Sequence, residues 1–207
     1  MHTSAIIIDN FYSDPELERD YALSLDYNRE GNYPGMRTDN IPLSKSVKEI
    51  IANAIRHSSG DIIKTTGATG SFQYTTCFER SWIHNDGEGW AGVCYLTPDA
   101  PVSAGTGLFR HIRTGISTSP LWDRTSYPNC EFEDKQAISE ELDNDCNDIT
   151  KWELVTSMGN VFNRLILYRQ ELYHMSLDYF GNSIDDGRLF QVFFFNTEDN
   201  KYNPNQD

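Results

Sequence analysis

Apolar residues change their spacing near residue 60, and the change divides the chain into a helical beginning and a strand-rich remainder. Residues 4–8 read as a short edge strand. Ser13-Asp14-Pro15-Glu16 is a helix start, with a capping side chain, a proline in the first turn and an acid beside it. Leu17, Tyr21 and Leu25 then recur at a spacing of four and define one apolar face. Residues 28–42 contain Asn28, Gly31, Asn32, Pro34, Gly35, Asn40 and Pro42 and read as loop. Ser44 or Ser46 opens a second helix. In it Val47, Ile50, Ile51, Ala54 and Ile55 follow the helical period, and Gly60 ends it.

From residue 61 the period becomes two. Runs at 61–66, 71–83, 90–97, 106–113, 152–158, 160–169 and 188–196 are rich in β-branched and aromatic residues, with Gly, Pro, Asp and Asn between them. Helices first and many short strands afterwards predict a mainly β fold, an antiparallel barrel or sandwich with the helices packed on one outer face. In the run 71–83 the even positions Phe72, Tyr74, Thr76, Phe78 and Trp82 share a side with His84, and that side is expected to be the interior. Residues 114–150 interrupt the strands, and acids crowd 131–148. That segment reads either as a solvated surface insertion with a short helix near 135–142 or as a lid over a mouth. The polar tail 196–207 is expected to fray.

A chain of 207 residues suits a single domain over 1–207, with a helical part at 1–60, a barrel at 61–196 and the insertion at 114–150. The formal charge of -14 repels phosphate backbones and anionic lipid, which sets aside nucleic acid and membrane surfaces as general partners. No apolar run approaches the ~20 residues of a membrane span. The first residues carry no basic stretch and too short an apolar run for a signal peptide, which points to the cytoplasm. Cys77, Cys94, Cys130 and Cys146 make no Cys-x-x-Cys pair. Cys77 and Cys94 fall in strand-like runs and read as small buried hydrophobes, and all four are expected to be reduced.

The candidate chemistry begins at Trp82-Ile83-His84-Asn85-Asp86. In an extended chain, residues two apart point the same way, so an imidazole and a carboxylate project together. Most such pairs are ordinary surface loop. A third candidate ligand, His174 in Leu172-Tyr173-His174-Met175, changes the picture, although alone it would be a hydrogen-bonded histidine. Two histidines and one carboxylate on one face of a divalent metal leave the opposite face open, which suits non-haem Fe(II).

The order His84-x-Asp86, Val93-Cys94-Tyr95-Leu96, Gly105-Thr106-Gly107-Leu108-Phe109, His174 and Gly187-Arg188 resembles the Fe(II)/2-oxoglutarate-dependent oxygenases. The prolyl-4-hydroxylase-like branch is nearest, and the resemblance covers roughly residues 70–196. Gly107-Leu108-Phe109-Arg110-His111 and Asn163-Arg164-Leu165-Ile166-Leu167-Tyr168 resemble an uncharacterised, mostly microbial and phage branch of the same fold. The resemblance implies a double-stranded β-helix (jelly-roll, cupin-like) barrel with the metal near its open end. It implies Fe(II) on His84, Asp86 and His174, with 2-oxoglutarate as chelating cosubstrate and one position left for O2. The remote carboxylate of 2-oxoglutarate would lie on Arg188, which opens the last strand. A tyrosine hydroxyl would assist, with Tyr74 the candidate and Tyr95 and Tyr168 its rivals; each could equally be a core tyrosine. The spacing from His174 to Arg188 exceeds that of many relatives, and a surface pairing of Arg188 with Asp185 or Asp186 is the bland alternative. Arg110 and His111 face opposite ways along one strand, and one of them is expected near the pocket mouth. The implied activity is a hydroxylase acting on a small-molecule or peptidyl substrate, and the ligand Asp86 opposes a halogenase. Two other readings stand beside it: a cupin-type metal enzyme without 2-oxoglutarate, and a non-catalytic barrel that serves as a binding module.

Overall fold

The computed structural model describes residues 3–123, 127 and 131–198. Helix α1 spans Pro15–Leu23, and the Asp14 side chain accepts from the Leu17 N–H at 3.1 Å. Its buried side is not the Leu17–Tyr21–Leu25 line. Leu17 is 64% exposed and Tyr21 44%, and the core takes up Ala22 instead. The helix stops at Leu23, so Leu25 lies outside it and the line has no third helical member. Helix α2, Lys45–Ser59, is capped by Ser44, whose hydroxyl accepts from the Val47 N–H, and it stops at Gly60. Val47, Ile51 and Ile55 are buried, as the period predicts.

The strands are β1 (Ala5–Ile8), β2 (Met36–Arg37), β3 (Ile62–Thr65), β4 (Phe72–Thr75), β5 (Trp90–Tyr95), β6 (Thr106–His111), β7 (Trp152–Met158), β8 (Leu165–Arg169), β9 (His174–Ser176) and β10 (Arg188–Thr197). The larger sheet runs β1-β8-β5-β10-β4-β2, with β3 also on β10, and a smaller sheet runs β7-β6-β9. Every ladder is antiparallel. Side-chain parity divides the large sheet cleanly. Phe72, Cys94, Leu165, Leu167, Leu189, Phe193 and Phe195 point outward and form one cluster with Ala22, Val47, Ile51 and Ile55 of the helices. Val93, Tyr95, Ile166, Tyr168, Phe190 and Val192 point the other way and meet Leu108 and Met158 of the small sheet. The central strands are therefore covered on both faces, and each large side chain so buried contributes about 1.5–3 kcal/mol.

Three expectations change. The run 71–83 is a strand only as far as Thr75, and residues 76–83 turn and extend without a ladder. Its parity therefore stops at Thr75, and Phe78 is 75% exposed. The run 160–169 is a strand only from Leu165, and the short strands β2 and β9 lie where no strand was expected. Cys77, just past β4, is half-buried rather than core, whereas Cys94 is fully buried. Both are free thiols, as is Cys146. Cys130 and the tail beyond Glu198 lie outside the described residues.

Helix α3, Phe132–Asn144, lies within the acidic insertion. It buries Leu142, which joins Ile83, Phe109, Trp152 and Tyr173. Phe109 is on the outer face of the small sheet, opposite Leu108, so α3 covers that sheet from outside. Among the described residues no helix is long and apolar enough to cross a membrane.

Candidate metal centre

His84 and His174 are brought together by backbone before side chains are considered. The His84 N–H donates to the His174 carbonyl at 3.0 Å, and the His174 N–H to the His84 carbonyl at 2.8 Å. This isolated antiparallel bridge places the two rings with centroids 4.4 Å apart. The Asp86 N–H donates to the Gln170 carbonyl at 2.8 Å, which fixes the third residue against the same segment. Asp86 Oδ2 lies 3.3 Å from His174 Nε2 and Oδ1 lies 3.8 Å from His84 Nε2. The ligand-capable atoms of the three residues all fall within 4.8 Å of one another.

The other ring nitrogens explain what these three atoms can do. His84 Nδ1 donates to the Trp82 carbonyl at 2.9 Å, and His174 Nδ1 to the Leu172 carbonyl at 2.8 Å. A neutral imidazole that donates through Nδ1 presents a lone pair at Nε2. Two such lone pairs and a carboxylate therefore face one point. A proton on one Nε2 satisfies a single contact, whereas a divalent cation satisfies all three. Burial, followed by the charge of His174, pulls the His84 pKa down to about 4, so this ring is ready to ligate without first losing a proton. Burial alone would raise the Asp86 carboxyl, but His174, His84 and Arg37 together hold it below the ordinary carboxylate value.

The three residues stand in a cleft of about 270 Å3 whose wall includes Arg37, Gln73, Tyr168 and Arg188. Arg188 opens β10 and is only 2% exposed. Gly187 makes its placement possible, since a Cβ there would lie 2.6 Å from the carbonyl oxygens of both Ser183 and Thr75. The Arg188 Nε donates to the Ala104 carbonyl at 3.1 Å, and the guanidinium lies over Phe190 at 4.4 Å. No carboxylate among the described residues pairs with it. Asp186 is occupied elsewhere, its carboxylate accepting from the Asn182 and Ser183 N–H groups and the Ser183 hydroxyl. The surface pairing of Arg188 with Asp185 or Asp186 is thereby set aside.

Tyr74 is not in this cleft. It lies on the helix-covered face with Phe72, its ring 5.1 Å from that of Tyr27. Gln73 and Thr75 have the inward parity, and Gln73 reaches the cleft. The tyrosine beside the candidate ligands is Tyr168, whose ring centroid is 4.7 Å from that of His174. Burial raises its hydroxyl well above the usual range, so it stays protonated. Tyr95 lies under Arg188, with its hydroxyl 2.9 Å from Thr106 Oγ1.

Neither Arg110 nor His111 lines the cleft. Arg110 is exposed and pairs with Glu153 at 2.6 Å, whereas His111 is 1% exposed and faces α3. Residues 131–148 do not line it either, so the lid expectation gives way to an outer cover. His111, Glu141 and Asp145 form a second group of close ligand-type atoms. There His111 Nε2 is 3.2 Å from Asp145 Oδ2, Lys151 also pairs with Asp145, and Arg113 pairs with Glu141. The hydrogen bond from Lys151, ahead of the other influences, holds the Asp145 carboxyl low.

Sequence reasoning missed Arg37 and Gln73. Arg37 sits on the two-residue strand β2 within a stretch dense in breakers, and the only signal available was an arginine two positions after Gly35.

No curated protein matches the chain. Solved structures of HygX from Streptomyces hygroscopicus share its fold. The form with nickel, 2-oxoglutarate and hygromycin B bound has a TM-score of 0.59 at 12% identity, covering 95% of this chain and 84% of HygX. The form with nickel and 2-oxoglutarate gives 0.56 at the same identity and coverage. The iron-bound form gives 0.54 at 12% identity, covering 95% and 83%. At that identity the likeness is one of fold. Residues 1–189 match the sequence model of a family of unknown function, DUF6445, and the chain belongs to that family.

Proposed function

We propose that the chain is an Fe(II)- and 2-oxoglutarate-dependent oxygenase, with His84, Asp86 and His174 as metal ligands and Arg188 as the anchor for the far carboxylate of 2-oxoglutarate. One observation carries the reading. A single cleft holds three convergent acceptors that lack a cation and a buried guanidinium that lacks an anion. Arg188 is the buried charge, and leaving it uncompensated costs several kcal/mol, which the carboxylate of a dicarboxylate offsets, while a divalent metal satisfies the three convergent acceptors together. The fold shared with HygX, which has been crystallised with iron and with nickel and 2-oxoglutarate, supports the same reading. On this reading the whole chain is one domain, and its two facing sheets form a double-stranded β-helix.

Iron held by His84, Asp86 and His174, with 2-oxoglutarate on Arg188, would supply the oxidising chemistry, in which 2-oxoglutarate and O2 are converted to succinate and CO2 and a C–H of the second substrate gains the other oxygen atom as C–OH. The chain's own residues bind and orient. The carbonyls of Trp82 and Leu172 fix the tautomer and rotation of the two imidazoles. Ala104 and the Phe190 ring hold the Arg188 side chain in place before any ligand arrives, which limits the ordering cost of binding. Tyr168, protonated and beside His174 on the cleft wall, takes the role that the family resemblance implies for a tyrosine hydroxyl.

The test is an anaerobic titration of 2-oxoglutarate into the Fe(II)-loaded protein, followed by its weak visible charge-transfer band, and then a succinate assay in air. A saturable band and iron-dependent succinate are expected. A protein with neither would overturn the proposal.

A further inference from the structure

Arg37 is a second cation in the same cleft, and neither the metal nor the 2-oxoglutarate anchor uses it. Its surroundings are built rather than incidental. Gln73 is 3% exposed, and its Nε2 donates to the Pro34 carbonyl at 2.6 Å, which fixes which end of the amide faces Arg37. Gln73 Oε1 then accepts from both Arg37 Nε, at 2.9 Å, and Arg37 Nη2. The Tyr33 ring covers the guanidinium, with Cζ 3.7 Å from the ring centroid. Gly35 allows the chain to pass this close, because a Cβ there would lie 2.0 Å from the Tyr74 carbonyl oxygen.

A guanidinium has five N–H donors in a planar fork. Gln73 takes one from Nε and one from Nη2. Two parallel donors remain along the Nη1–Nη2 edge, and no acceptor among the described residues takes them. Asp39, two residues on, is already paired with Arg29. Asp86 feels the charge of Arg37 but forms no ion pair with it. Among the described residues, Arg37 and Arg188 are the only arginine or lysine side chains that line the cleft. If Arg188 serves 2-oxoglutarate, Arg37 remains for the other substrate.

We infer that Arg37, stacked on Tyr33 and held by Gln73, binds a carboxylate of the oxidised substrate, which is therefore a small organic acid. This inference rests on the oxygenase reading. The planar two-donor edge matches a carboxylate, and one guanidinium balances one negative charge. A phosphate dianion would lack a second cation and would lie near the Asp86 carboxylate. The cleft volume, which 2-oxoglutarate must share, fits a small molecule.

The experiment uses the full chain with Fe(II) and 2-oxoglutarate. The probes are the twenty amino acids, free and N-acetylated, each set against its primary amide, and the readout is succinate formed above the substrate-free rate. Acids are expected to stimulate succinate, with their amides weaker by about tenfold or more, the loss typical of a severed charge pair. Arg37→Gln should raise the KM of a stimulating acid at least about tenfold, with Arg37→Lys between. Tyr33→Phe should retain the effect and Tyr33→Ala should weaken it. The 2-oxoglutarate Kd of Arg37→Gln, read from the anaerobic band, should stay within about twofold of wild type, since Arg188 holds that ligand. Amides as effective as acids, no acid that stimulates, or a 2-oxoglutarate affinity that falls in Arg37→Gln as it does in Arg188→Gln would each overturn the inference while leaving the oxygenase intact. A wild-type protein with neither band nor succinate would overturn the oxygenase reading and this inference with it.

Discussion

Among the described residues, two groups gather imidazole and carboxylate, one of two histidines with an aspartate and one of a histidine with two acids, and they differ in what surrounds them. His84, Asp86 and His174 converge with no Lys or Arg in ion-pair contact among the described residues, at the wall of a cleft. His111, Glu141 and Asp145 are equally close, but Lys151 and Arg113 already neutralise their acids, and His111 is buried under α3. Proximity of ligand-type atoms is thus a poor criterion by itself. Charge balance separates them: the first group lacks a cation, and the second has two. The second group serves to fasten the acidic insertion onto the small sheet, through a hydrogen-bonded imidazole and a short ion-pair network.

The largest expected effect breaks this comparison if it fails. Alanine at His84, Asp86 or His174 should weaken iron binding by more than about a hundredfold, since loss of an outer-sphere partner alone costs ~10–100-fold. Asp145→Ala should keep wild-type iron stoichiometry after desalting. Iron lost from Asp145→Ala would make the second group a metal site after all. Next in size, Arg188→Gln should lower 2-oxoglutarate affinity by about 2–5 kcal/mol while iron binding holds, with Arg188→Lys between. An unchanged titration would place the anchor elsewhere. Third, His111→Ala should cost about 1–3 kcal/mol in urea unfolding, because it leaves the Asp145 and Thr114 side chains without their buried partner. Iron and 2-oxoglutarate binding should not move.

A fourth effect is one of pH. The unfolded chain takes a proton on His84 near 6.5, and the folded, metal-free chain only near 4. Between those values unfolding binds a proton, so metal-free stability should fall as pH falls from about 6.5 toward 4. Asp86 does not contribute in that window, because its lowered carboxyl loses its share only below 3.8. Urea midpoints in chelator at pH 7, 6 and 5 measure the slope, and His84→Asn should flatten it. Equal slopes in the two proteins would remove His84 as the cause.

Much of this arrangement was legible in residue spacing. A two-residue separation put His84 and Asp86 side by side, and the caps placed the end of α2 at Gly60 and its start at Ser44 or Ser46, of which Ser44 is the cap. One failure is a local pattern continued past the point where the backbone stops obeying it. Counting back from His84 through residues 76–83 predicts an inward Tyr74. The chain turns there at Cys77 and Phe78, so parity is not conserved across it. Arg37 was lost in the opposite way. Breakers at Gly31, Pro34 and Gly35 marked the stretch as loop, yet the tertiary ladder to β4 makes two of its residues a strand. Arg110 is exposed at the strand end, and His111 is buried on the outer face beneath a helix whose docking no short-range signal encodes. Leu17 and Tyr21 follow a helical period, but α1 turns Ala22 rather than that line into the core, and only Leu25, beyond the helix, packs there.

The backbone bridge between His84 and His174 has a consequence for how long the protein lasts in a cell. It joins segments distant in the chain, and such pairings form only after a large loop has closed. On the proposed reading, iron held across the bridge would favour molecules in which the bridge is intact, by ~2.7 kcal/mol when free metal is a hundred times its Kd. An iron-replete cell would therefore keep more of this chain folded and out of reach of proteases than an iron-starved one. Its abundance would follow the iron supply without any change in its synthesis.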